Sequence, residues 1–272
     1  MLPVTLVTAL GELAVVIVFA LVAIGVRALD RAGFLASVGV GYAIFLGGGW
    51  QWFLIVAVFF VLGAGFTWYR YSEKNSLGGA QEKGGTRNWP NILANGGLPA
   101  IFGLLELAIG GSVFAALFLG SISAAAADTS ATELGLLSRK PPRLITKLNE
   151  VVPPGISGGV TSTGFLGALL ASLVIGVIAA ALRIIPDLNP VSIVVITVAG
   201  GFFGSVADSL AGALFQRKNV CVVCGKTSER NVHCDTPTRY LSGVSYVDNN
   251  IVNVLATVAG AAVSLAVAVL LI

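Results

Sequence analysis

Eight apolar stretches, roughly residues 4–26, 33–48, 51–69, 92–109, 112–128, 158–182, 190–215 and 248–271, take up most of this 272-residue chain. Hydrocarbon admits a backbone only if its N–H and C=O groups are satisfied internally, and for runs of this length that means helices. With 11 % charged residues, against about 25 % in soluble domains, the chain reads as an all-α, polytopic transmembrane bundle. Residues 1–272 form a single integral membrane domain, with one small Cys- and His-containing loop at about 216–247 outside the bilayer. No charged leader with a small-residue cleavage site opens the chain, so residues 1–26 read as a retained first span. Glycines and Pro99 interrupt the second, fourth and fifth runs, which predicts broken or tilted helices there.

The basic residues test this division. Loop 27–32 carries Arg27 and Arg31, loop 70–91 carries Arg70, Lys74, Lys83 and Arg87, and loop 129–157 carries Arg139, Lys140, Arg143 and Lys147. Loop 216–247 adds Arg217, Lys218, Lys226, Arg230 and Arg239, so of 16 basic residues only Arg183 falls on the other set of turns. The positive-inside rule makes the four basic loops cytoplasmic and puts both termini outside. Eight spans preserve this alternation; seven would break it. The net charge of +3 then reflects orientation and headgroup contact. The bilayer is the expected partner, nucleic acid is not, and homo-oligomerisation is left open.

Ionisable and amide side chains are scarce, so their placement is informative. Ala127-Asp128-Thr129-Ser130-Ala131 closes the fifth run, and Ala207-Asp208-Ser209-Leu210-Ala211 closes the seventh. A carboxylate at such depth is costly and points to a site. The echo hints at a parallel internal repeat, although alanine-rich helices also produce such matches by chance. Glu133 lies five residues beyond Asp128, on another helical face, and a helix break after Asp128 would let both reach one hard cation such as magnesium. Against this stands a motif that merely closes the span.

Three further stretches belong to the same predicted face. Residues 84–97 place Arg87, Asn91 and Asn95 at and within a helix start, where a guanidinium and amides three or four apart can meet an anion, or simply cap the helix. Residues 152–164 hold Gly155, Ser157, Gly158 and Gly159 before a helix N-terminus, an arrangement suited to phosphate, and Arg143 and Lys147 stand just upstream. The competing reading is small-residue helix packing. Asp248, Asn249 and Asn253 cluster at the last helix start, where capping needs only one of them. In the loop before it, Cys221, Cys224, His233 and Cys234 form C-x-x-C with His-Cys eight residues on, the ligand set of a small zinc knuckle or else a thiol-lined turn. Four protein ligands leave no open position, so such a zinc would be structural.

The order of these motifs resembles one family. R-N-W-P-N-I-L-A-N-G-G, A-D-T-S-A-T-E-L-G, P-R-L-I-T, V-P-P-G-I-S-G-G-V, F-F-G-S-V-A-D-S-L-A-G-A, C-x-x-C with H-C, and V-D-N-N-I-V-N are similar, from about residue 30 onward, to the membrane family domain of unknown function 92. That family includes transmembrane protein 19 and the phytyl-phosphate kinase of phytol salvage. The resemblance implies transfer of a phosphoryl group from a nucleoside triphosphate, plausibly CTP, to an isoprenyl monophosphate such as phytyl, farnesyl or geranylgeranyl phosphate. The matching positions are Arg87, Asn91, Asn95, Asp128, Glu133, Arg143, Ser157, Asp208, Asp248, Asn249 and Asn253.

Residue chemistry and resemblance converge on a membrane-embedded kinase. In that reading Asp128, Asp208 and Asp248, with Glu133, hold magnesium, while Arg87, Arg143 and the 155–159 loop neutralise phosphate charge. An ion-coupled transporter is the alternative from another class. It requires polar groups near the midplane, where Glu106 in the fourth run is the exception to a one-sided distribution. A CTP-dependent lipid nucleotidyltransferase would use the same ions and donor.

Overall fold

A computed structural model describes residues 6–271, so positions 4 and 5 of the predicted first span lie outside it. Among the described residues seven helices are long and apolar enough to cross a bilayer: α1 (Leu6–Gly25), α2 (Arg31–Trp68), α4 (Trp89–Ala108), α5 (Ser112–Gly135), α6 (Ser162–Ala181), α7 (Pro190–Leu214) and α8 (Asn249–Leu271). A short helix, α3 (Tyr71–Ser76), and a 3₁₀ turn at Glu82–Gly85 link α2 to α4. Large apolar side chains such as Val7, Leu166, Val191 and Leu270 point outward, as lipid contact requires.

The eight predicted runs are accommodated in seven helices because α2 folds back on itself. At 38 residues a straight helix would measure about 57 Å, nearly twice a hydrocarbon core of about 30 Å. Gly49 interrupts it with φ 67° and ψ −166°. The rings of Phe45 and Phe53, one on each side of the break, lie 5.3 Å apart. Farther out, a Cβ on Gly33 would lie 2.5 Å from the Arg87 carbonyl oxygen and one on Gly63 would lie 2.5 Å from Arg87 Nη2, so both ends of α2 meet one residue. Residues 31–48 and 50–68 are therefore two crossings joined by a tight turn. Of the broken or tilted helices expected in the second, fourth and fifth runs, none is broken: the interruption at Gly49 falls just after the second run, α4 continues through Pro99, and α5 runs seven residues past Asp128 to Gly135.

α5 is the centre of the bundle. Ser121 through Ala127 are all buried, because a run of alanine and serine lets helices approach from every side. α7 packs on it most extensively, followed equally by α6 and α8. A Cβ on Gly200 of α7 would lie 2.9 Å from Gly120 Cα, and one on Gly204 would lie 2.4 Å from Ala124 Cβ. These pairs are four residues apart on both helices, so α5 and α7 run parallel and in register, at the offset of the two A-D motifs. α8 runs antiparallel to both: Gly260 O lies 2.3 Å and 2.8 Å from Cβ atoms added at Gly120 and Gly200.

The four basic loops meet at one end. Asp30 N donates to Arg87 O and Arg87 N to Ala28 O, tying the first loop to the second. A Cβ on Gly155 would lie 2.8 Å from Gly79 Cα, Arg230 Nη2 donates to Ala80 O, and Ser157 N donates to Glu229 Oε1. Small sheets stiffen the third loop (β1 Arg143–Leu144, β2 Lys147–Val151, β3 Gly159–Val160) and the fourth (β4 Lys218–Val220, β5 Thr227–Ser228, β6 Arg239–Ser242). The opposite mouth is acidic, where Glu12, Glu106 and Asp187 line one cavity beside the Gly49 turn.

A membrane-impermeant maleimide applied to intact cells is expected to label Asp187→Cys, and to label Lys140→Cys only after permeabilisation. The reverse pattern overturns the assigned orientation. Gly200→Val is expected to cost at least about 1–3 kcal/mol in detergent unfolding, since its Cβ would already lie 2.1 Å from Ser264 Oγ.

Candidate functional site

The register of α5 on α7 brings Asp128 opposite Asp208. Helices held in that register turn the two carboxyl groups toward one another at the same depth. Asp208 Oδ2 is buried with no N–H or O–H donor upon it. The charges acting on Asp208 are those of Asp128 and Glu229, both acidic. Facing carboxylates repel unless they share a proton or a cation, so the pair has the chemistry of a hard-metal site. The antiparallel register of α8, with Ala256 O against Gly204, brings residues 252–253 level with Asp208 one turn further on. Asn253 is 6 % exposed and its Oδ1 has no partner.

Arg87 forms the second polar centre. Its side chain is buried, neither Nη1 nor Nη2 has a hydrogen-bond partner among the described residues, and its guanidinium sits 5.3 Å from the Phe60 ring centroid. Burial lowers its pKa to about 10, offset in part by Glu133, so it stays cationic at neutral pH. With Asn91, Asn95 and Ser37 it makes the polar end of a cavity whose other walls are apolar side chains of α1, α4, α5 and both arms of α2. Asn88, not Asn91 or Asn95, caps α4 by accepting from Asn91 N at 3.2 Å. A Cβ on Gly63 would meet both Arg87 Nη2 and the methyl of Thr129, so Arg87 approaches α5 one residue beyond Asp128, on the face that also carries Glu133.

Other predicted residues are committed elsewhere. Because α5 continues through Asp128, Glu133 projects about 140° away from it. Glu133 Oε2 pairs with Lys74, Oε1 accepts from Thr67 Oγ1 at 3.0 Å, and Lys74 also donates to the carbonyls of Phe66 and Thr67. Glu133 is thus a buried structural ion pair, not a neighbour of the carboxylate pair. Asp248 is the N-cap of α8: Oδ1 accepts from Ile251 N at 3.0 Å and Oδ2 from Asn250 Nδ2 at 3.2 Å. It is exposed, as is Asn249. Arg143 lies exposed on β1 and donates to Leu148 O at 2.8 Å. Glu106 sits in the last turn of α4, at the acidic mouth and not at mid-depth.

The glycine loop holds an anion, but an internal one. Gly155 and Gly158 both have φ 83° and press on Gly79 and on Ala213 of α7, while Gly159 enters β3. Ser157 N donates to Glu229 Oε1 at 2.7 Å, and Glu229 Oε2 accepts from Gln216 Nε2 at 2.7 Å. Burial pushes the Glu229 carboxyl above its ordinary range, and the bonds from Ser157 pull it back. Neither Glu229 nor Lys74 carried a sequence signal: each is one charge among several in a polar stretch between apolar runs, with its partner 59 or more positions away.

A family model described as "Integral membrane protein DUF92" matches residues 14–261. The chain belongs to the DUF92 family of integral membrane proteins. It is 35 % identical over 218 residues to the uncharacterized membrane protein MJ0933 of Methanocaldococcus jannaschii, covering 79 % of this chain and 87 % of that one. It is 29 % identical to protein PGR of Arabidopsis thaliana, with 84 % of each chain covered. Protein VTE6, chloroplastic, from the same plant is 28 % identical over 71 % of this chain and 58 % of its own. No solved structure matches.

In this DUF92 chain Glu133→Gln or Lys74→Met alone is expected to destabilise by about 3–5 kcal/mol, because each leaves one charge buried without its partner. The double variant is expected to recover most of that loss in detergent unfolding. Additive losses would show that the two side chains do not act as a pair.

Proposed function

We propose that this protein transfers the γ-phosphoryl group of a nucleoside triphosphate to an isoprenyl monophosphate. The observation that carries the reading is the buried guanidinium of Arg87, unpartnered among the described residues, at the polar end of an apolar cavity. A lipid carrying an anionic head needs that combination: apolar walls for the chain, and fixed donors for the phosphate. Arg87 and the amides of Asn91 and Asn95 would hold the acceptor phosphate. The Phe60 ring stands 5.3 Å from the guanidinium carbon, a cation–π contact that steadies the charge without consuming its N–H donors.

Asp128 and Asp208 fit magnesium, since both offer oxygen ligands and one oxygen has no protein donor. Bound there, magnesium would neutralise charge on the donor phosphates. An acceptor phosphate oxygen attacks the γ-phosphorus, a P–O bond forms, and the bridging P–O bond breaks to release the nucleoside diphosphate. The acceptor is already an anion, so no strong general base is required, and positioning and charge stabilisation carry the step. Membership of DUF92 and similarity to protein VTE6 are consistent with isoprenoid chemistry.

Purified protein in detergent with magnesium and CTP, ATP, GTP or UTP is expected to convert phytyl, farnesyl or geranylgeranyl phosphate to the diphosphate. Release of pyrophosphate instead of nucleoside diphosphate would identify a nucleotidyltransferase, and no product from any pairing would sink the proposal. Asp128→Asn, Asp208→Asn and Arg87→Ala are each expected to lower kcat about 10²–10³-fold while the protein remains folded.

A further inference from the structure

Outside the bundle, the loop between α7 and α8 brings four metal-ligating side chains together. The ligand atoms of Cys221, Cys224, His233 and Cys234 all lie within 4.8 Å of one another. His233 Nδ1 is 3.5 Å from Cys224 Sγ and 3.2 Å from Cys234 Sγ. Tetrahedral zinc, with bonds of about 2.3 Å to sulfur and 2.0 Å to nitrogen, sets ligand atoms about 3.5–3.8 Å apart, so the cluster is already near that size. The backbone is shaped to the same end. Cys221 N donates to Lys226 O at 2.9 Å and Gly225 N to Cys221 O at 3.0 Å, curling the C-x-x-C turn around one point. Adjacent ligands in an extended strand would face opposite ways. Here Cys234 and Asp235 adopt φ 52° and 55°, and that reversal turns Cys234 back to the side of His233.

What the cluster encloses gives it a consequence. Residues 225–232 span the gap between Cys224 and His233, and they contain Glu229 and Arg230. Glu229 reaches the Ser157 amide and Gln216, and Arg230 reaches Ala80 O. Asn219 Nδ2 and Thr238 Oγ1 both donate to Arg230 O, fixing the segment from behind. We propose that Cys221, Cys224, His233 and Cys234 bind one zinc ion as a structural brace, which holds residues 225–232 so that Glu229 stays docked on Ser157 beside Asp208. The site is independent of the phosphoryl-transfer reading. All four coordination positions come from protein, so the ion stabilises and does not catalyse.

Protein purified from zinc-replete cells under reducing conditions is expected to contain about one zinc per chain by plasma mass spectrometry. Replacement by cobalt(II) is expected to give the ligand-field and thiolate charge-transfer bands of a tetrahedral site. Cys224→Ser and Cys234→Ser are each expected to lose both signals. Metal-free wild type, zinc retained in both variants, or a Cys221–Cys224 disulfide found by mass overturns the site. Should the variants fail to fold, chelation of wild type tests the brace. Amide exchange is expected to rise across residues 218–242 and at Ser157, with the α5–α7 core unchanged. Exchange at Ser157 that ignores zinc removal would show that the ion does not hold Glu229 in place.

Discussion

Close approach of three helix backbones at Gly120, Gly200 and Gly260 is the contact on which the rest of the molecule depends. In lipid there is little hydrophobic gain in bringing helices together, so association rests on van der Waals contact and the absence of side chains in the way. The parallel register set there carries two acidic residues, eighty positions apart, to the same depth. A one-residue slip of α7 against α5 would rotate Asp208 by about 100° and separate the pair. The catalytic proposal therefore rests on glycine packing some two turns away from the carboxylates.

The buried charges divide by whether the protein satisfies them. Lys74 and Glu133 answer each other, with carbonyls and a threonine hydroxyl taking up the remaining capacity. That group is closed and has nothing to offer a ligand. Arg87 and the Asp128–Asp208 pair are left open: two guanidinium nitrogens and one carboxylate oxygen are buried without partners. Keeping such groups unpaired in a low-dielectric interior costs stability, and binding sites are where proteins retain that cost. Asn253 Oδ1, unpartnered at the depth of Asp208, belongs with the open set.

Most of the architecture was legible in the sequence because hydropathy and the Lys/Arg alternation are local signals. The basic loops do converge, and the A-D echo corresponds to a physical pairing of helices. Asn95, Asp128, Asp208 and Asn253 were also recoverable, since each is a polar residue at a depth where polarity is expensive, and Arg87 was named from its place before a helix start. Glu133 and Asp248 were not separable from them by that argument. Both are acidic residues near span ends, and only the continuation of α5 and the start of α8 reveal one as an ion-pair partner and the other as a cap. The glycine loop was read as a phosphate cradle, whereas the group on its Ser157 amide is Glu229, brought from 72 residues away by a fold that no local pattern encodes.

Gly49 has a consequence best put as parity. A hairpin within α2 adds one crossing, and every crossing added before a given residue inverts the side of the membrane on which that residue emerges. Were the torsion at Gly49 helical, Arg27 and Arg87 would leave the bilayer on opposite faces, and the contacts that join Ala28 to Arg87 could not form. Asp128, Asp208, Glu229 and the Cys/His loop would all move with Arg87. The leaflet that this half of the molecule addresses is thus set by one backbone torsion in a glycine, far from any of the side chains whose address it decides.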